Sequence, residues 1–225
     1  MRSLIAFAIA SMLLFSFSSS ILAQPKETPD SVKFKTLGCL YRSIQALNSR
    51  NIRFKALQEE LEDMHPLEPQ SMDSAHFSAN LEQIGKYLRF LASHRAEIQK
   101  NVKLLADTVK LLTQEMSKEE EKKALTDFYT AYKEESSAFI VYSSYLTVML
   151  TDIRMALAFL QTVPMTRNGN DITFNTDKSA NEKYLEFETK VSADRSKIDQ
   201  AIERSIKLTE KENTIIQSTI TLFNK

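Results

Sequence analysis

Few side chains in this chain can do chemistry, and their spacing limits what chemistry that would be. Histidine occurs at His65, His76 and His94, and cysteine at Cys39 alone. Glu62 and His65 stand in the Glu-x-x-His spacing by which helices of di-metal carboxylate bundles aim two ligands inward. Such a centre needs the pattern twice, plus glutamates from the facing helices, and the nearest second copy is Asp73 with His76. Both pairs fall around a connection between helices, where acid and imidazole groups are ordinarily solvated. Glu62, His65, Asp73 and His76 are therefore the candidate ligands for a divalent ion, but neither a metal nor any other cofactor is expected. Cys39 has no histidine placed to serve as its base and no second cysteine to pair with, which argues against a thiol nucleophile and against an internal disulfide. It sits beside Leu37 and Leu40 on a helical pattern, where cysteine acts as a small buried hydrophobe; a disulfide between two copies is the alternative. No Gly-rich phosphate loop, Ser or Cys triad, or Cys cluster occurs, so the chain does not read as an enzyme.

Two charged residues interrupt otherwise apolar rows. In the stretch LASHRAEI, Arg95 takes a place that the row Phe77, Leu81, Ile84, Leu88, Leu91, Ile98, Val102, Leu105, Val109, Leu112, Met116 would give to a leucine. Those steps of four and three make a heptad seam on a helix over about 74–116. The next row runs Leu125, Phe128, Tyr132, Phe139, Tyr142, Leu146, Met149, Ile153, Ala156, Leu160 and Val163, with Glu135 as its exception, and predicts a helix over 118–163. Ser117 and Glu120 have capping-box spacing and close the hairpin between the two helices. At ~1.5 Å per residue, folding that hairpin back brings Arg95 and Glu135 to nearly the same level. Gln45 and Asn48 on a first helix (31–64) and Thr209 and Asn213 on a last one (180–223) fall there too. The expectation is a polar layer in which an Arg95–Glu135 pair fixes register; the alternative is a small ligand held between helices.

The remaining elements follow from the same periodicities. His65-Pro66 closes the first helix, because a residue before proline is pushed out of the α region. Asn168-Gly169 between β-prone residues suggests a small hairpin turn. Ser179 and Glu182 are placed to cap the last helix, whose apolar row from Tyr184 to Phe223 is the least regular. KEEEKK at 118–123 reads as a solvated first turn. Tyr129, Tyr132, Tyr142 and Tyr145 with Phe128 and Phe139 could line a box for a flat apolar ligand, but aromatics at helical spacing are ordinarily core. The fold class expected is all-α: an elongated up-down-up-down four-helix bundle with coiled-coil-like heptad packing, one domain over 31–225.

Composition supports that class. Three glycines in 225 residues leave little material for the turns of a sandwich or barrel. With 29 basic and 29 acidic side chains there is no electrostatic footprint for nucleic acid. Residues 1–23 read as a signal peptide, with an apolar core from Leu4 to Phe17 and a cut before Gln24, followed by a flexible segment over 24–30. Left uncleaved, residues 4–23 would be long enough to anchor the chain in a bilayer. The expected location is periplasmic or extracellular, with no membrane span in the mature chain.

One last pattern concerns partners. On the third helix Val141, Val148, Met155 and Phe159 line up nearly opposite the main seam, where a simple bundle would show polar residues. The stripe is read as an association surface, for a second copy in the simplest case; the alternative is that the ends of the first helix or the 164–178 connection fold over it. The function expected is that of an exported, non-enzymatic bundle acting through helix faces as an interaction or scaffold module. A carrier or sensor of a small apolar or aromatic ligand is the alternative.

Overall fold

The structure of the protein, a computed structural model, describes residues 31–64, 74–168, 171–174 and 178–224. Its elements in chain order are α1 (Ser31–Met64), α2 (Ser74–Glu115), α3 (Glu119–Leu160), β1 (Met165–Asn168), β2 (Asp171–Phe174) and α4 (Lys178–Phe223). The fold is all-α, a four-helix bundle with up-down order. The expected signal peptide, the segment 24–30, the His65-Pro66 stop and Gly169 lie outside the described residues.

The helix ends show the local physics. The carbonyl of Lys118 accepts the first bond of α3, from the N–H of Lys122 at 3.2 Å, so the cap falls on Lys118 and not on Ser117. Glu119, Glu120 and Glu121 then occupy the first turn, where carboxylates meet the positive end of the helix dipole. That turn is not wholly solvated: Glu121 is buried and accepts from Lys118 Nζ at 3.0 Å. α3 stops at Leu160, short of Val163, in a tightened turn where the N–H of Thr162 reaches the carbonyl of Phe159 at 2.9 Å. α4 begins at Lys178, which places Ser179 inside its first turn. The two strands pair antiparallel, Met165 with Phe174 and Asn168 with Asp171.

The chain forms two compact units, and each draws on all four helices. In the first, the described residues are 31–56, 96–140 and 202–224. Its core joins Leu40 and Leu47 of α1, Leu105, Val109 and Leu112 of α2, Leu125, Phe128 and Tyr132 of α3, and Ile216 and Phe223 of α4. Burying each such side chain is worth ~1.5–3 kcal/mol, which is how the unit coheres with its cysteine unpaired. Cys39 belongs to this core, and burial pushes its thiol pKa up, against the smaller opposing influence of Arg42.

In the second unit the described residues are 57–64, 74–95, 141–168, 171–174 and 178–201. The hairpin caps an aromatic cluster there: Phe159 lies 6.3 Å from Phe174 and 6.0 Å from Phe187, and Phe174 lies 5.7 Å from Tyr184. Tyr87 is buried with its hydroxyl donating to Glu60 Oε2 at 3.0 Å. Along α2 the buried row is Phe77, Asn80, Ile84, Tyr87, Leu91 and His94. It keeps the alternating steps of three and four, but Leu81, Leu88 and Arg95 are only half-buried. His94, stacked on Phe90 with centroids 5.4 Å apart, takes the inward place expected for Arg95.

Candidate functional site

A charged cluster is sealed inside the first unit. Along α1 the inward positions run Leu40, Ser43, Leu47, Arg50, Phe54, Leu57, so the helix that buries its leucines must also bury Arg50. On α3 the same logic turns Tyr132, Glu135 and Phe139 inward, and on α4 it turns Ser205, Glu212, Ile216 and Thr219 inward. Arg50 Nη2 donates to Glu135 Oε1 in an ion pair whose two side chains are almost wholly out of solvent. The guanidinium carbon lies 4.8 Å from the Phe139 ring centroid, and Phe54 meets that ring edge-on, centroids 4.8 Å apart at 78°. The fork of Arg50 is thus fixed by a carboxylate and by the negative face of a ring.

Glu212 is the third member, 3% exposed. Burial raises its carboxyl pKa first, the negative charge of Glu135 raises it further, and Arg50 opposes both; the result is about 8. Tyr132, buried in the same surroundings, is pushed up to about 12, mainly by desolvation, with Arg50 lowering it and Glu212 and Glu135 raising it. Glu135 Oε2 and Glu212 Oε1 are cut off from solvent and meet no hydrogen-bond donor among the described residues.

This arrangement corrects the expected layer. Arg95 and Glu135 are not paired: Glu135 is bound by Arg50, and Arg95 donates from Nη1 to the carbonyl and hydroxyl of Ser143, at 3.0 and 3.2 Å, and to Thr147 Oγ1 at 2.6 Å. Counting rise along helices gives a level but not a direction, and the inward row of α2 passes through His94. Gln45 is exposed, and Thr209 is half-buried with its hydroxyl turned back to the Ser205 carbonyl at 2.9 Å. Asn48 and Asn213 are also half-buried, and Asn48 Oδ1 and Asn213 Nδ2 are sealed without a partner among the described residues.

The other candidates are placed as follows. His76 is exposed; His65 and Asp73 lie outside the described residues, as does the side chain of Glu62. Among the described residues no group of three or more His, Cys, Asp or Glu comes together. Phe128, Tyr132, Phe139 and Tyr142 are core.

In the second unit, Val141, Val148 and Met155 stand 44%, 48% and 45% exposed on one face of α3. Ser144 and Thr151 between them and Ala158 beyond Met155 are exposed too, so the face reads Val-Ser-Val-Thr-Met-Ala at steps of three and four. Phe159 departs from the expected stripe: Phe174 and Phe187 flank its ring and Lys183 Nζ lies 5.0 Å above it. The connection after α3 therefore covers one end of the stripe and leaves the remaining three residues open. Comparison of the chain with protein-family models, with curated proteins and with solved structures finds no match.

Proposed function

We propose that this protein is a non-enzymatic interaction module that works through a helix face, exported under the direction of its first 23 residues, and that its partner is a second copy of the chain. The observation that carries this reading is the open face of α3 at Val141, Val148 and Met155. Apolar side chains in a heptad repeat on a solvent face are what a docking helix requires, and contiguous strips of this kind mark partner surfaces. No residue from 141 to 151 is charged, so a helix laid along this face meets no charge to desolvate there.

The alternation of larger and smaller residues makes the face complementary to itself. A two-fold axis between Val148 and Thr151 sets Val141 against the partner's Ala158, Ser144 against the partner's Met155 and Val148 against the partner's Thr151. The outer layers then pair a larger side chain with a smaller one, and the near-equal Val148 and Thr151 meet beside the axis, an arrangement compatible with an isologous interface. Arg154 meets the partner's Tyr145 and Asp152 meets the partner's Thr147, so no like charges are brought together.

Replacing Val148 and Met155 together by glutamate tests this. Sedimentation and light scattering should show a dimer for the unaltered chain and a monomer for the double variant, while helicity and melting of the monomer stay nearly the same. An unaltered chain that remains strictly monomeric at high concentration would falsify the homodimer, and unfolding of the double variant would show that the face is internal.

A further inference from the structure

The charges buried in the first unit do not balance. Besides Glu121, which Lys118 binds at the start of α3, two carboxylates, Glu135 and Glu212, are sealed in it, and among the described residues Arg50 is the only buried Lys or Arg. Arg50 is committed to Glu135 Oε1, which leaves Glu135 Oε2 and Glu212 Oε1 facing no donor. One positive charge is missing from a place that solvent does not reach, and leaving a carboxylate there uncompensated costs far more than protonating it. We propose that Arg50, Glu135 and Glu212 form a buried binding site for one proton, held by Glu212, that couples the cohesion of this unit to pH.

Among the described residues the helices of the unit supply no second buried cation. α1 brings Arg50; α3 brings Glu135, the hydroxyl of Tyr132 and, in its first turn, Glu121 paired with Lys118; α4 brings Glu212; the buried residues of α2 in this unit are apolar: Ile98, Leu105, Val109 and Leu112. With Glu212 neutral the cluster carries one guanidinium and one carboxylate and sums to zero. With Glu212 ionised, a second negative charge lies near Glu135 in a medium of low dielectric, and Arg50 cannot neutralise both. The carboxyl of Glu212 lies at about 8, against 4.5 for a solvated glutamate, so the folded unit keeps a proton that the unfolded chain releases. The linkage has one sign: stability is complete below about 4.5, falls as pH rises, and the loss is finished above about 8. Tyr132 contributes with the same sign only above its ordinary value of 10.

The test compares the full chain with Glu212→Gln, which keeps the shape and removes the titration. Between about pH 6 and about pH 9 the unfolding equilibrium constant of the unaltered chain should rise about a hundredfold more than that of the variant. Infrared or carbon-13 spectroscopy of the unaltered chain should show one un-ionised carboxyl at neutral pH that disappears on further raising the pH and is missing from Glu212→Gln. That spectroscopic measurement stands alone if the variant does not fold. Equal pH slopes for the two proteins, or a Glu212 carboxyl already ionised at about pH 6, would overturn the proposal. So would stability at neutral pH that rises specifically with sodium in the unaltered chain and not in the variant, because the missing charge would then be a metal cation.

Discussion

Arg50 and Arg95 are both arginines among apolar neighbours, and their surroundings assign them different jobs. Arg50 is buried against Glu135 and the ring of Phe139, so removing its partner strands a charge in the core. Glu135→Ala alone should therefore destabilise by about 3–5 kcal/mol in chemical denaturation, whereas Arg50→Leu with Glu135→Leu should be near neutral or stabilising. Equal losses for the single and double changes would refute a tightly coupled pair. Arg95 is half-buried and caps a turn of α3 through Ser143 and Thr147. Arg95→Leu should cost about 1.5–3 kcal/mol, the range for charged hydrogen bonds, measured the same way. The sequence singled out Glu135 because it breaks a row of large apolar residues. Arg50 was equally open to view, since Leu47 and Phe54 are seven apart and a step of three from Leu47 lands on it. Glu212 was harder to find: the inward row of α4 includes Asp194, Ser205 and Thr219 as well as Glu212, and a search for apolar periodicity passes over polar core positions.

At the level of the element, α3 shows why patterns predict helices better than they predict faces. Its inward row contains nearly every residue expected of it, from Leu125 to Leu160, because large apolar side chains at steps of three and four can face only one way. α2 was ambiguous, since the rows through Leu81 and Leu88 and through Asn80 and Tyr87 satisfy the same steps. Packing chose the row with Tyr87, and the rings of Tyr87 and His94 went inward with it. α3 is also the described helix long and apolar enough, by length and composition, to cross a bilayer. In the structure its apolar side chains divide between the buried row and the open face. The two ends of that face should respond differently to substitution. Phe174 is buried and closes over Phe159, so Phe174→Ala should lower stability by about 3 kcal/mol in calorimetry. Compared as monomers at low concentration, the glutamates at 148 and 155 should leave the melting curve nearly unmoved. If both changes lower melting alike, the open part of the face is packed as tightly as the closed part.

For the whole molecule, fold class was legible and function was not, for one physical reason. A bundle is specified by periodicity, which a single sequence displays in full, while a site is specified by which side chains converge, and that depends on the rotation of each helix about its own axis. Scarce glycine and balanced charge indicated long helices and no nucleic-acid footprint, but neither says what meets what. Cohesion depends on the cores, since among the described residues the cysteine is free and buried. That burial has a practical consequence. The Cys39 thiol is enclosed among core side chains, and its raised pKa keeps it protonated and unreactive in the native state. A thiol-specific reagent should therefore label the chain only as fast as the surrounding core opens, and Glu135→Ala should speed labelling in proportion to its effect on the opening equilibrium. Labelling at the rate of a free thiol in native buffer would contradict the burial. The molecule thus carries a stopwatch for its own breathing, started by each excursion that exposes one sulfur atom and readable without adding a probe to the sequence.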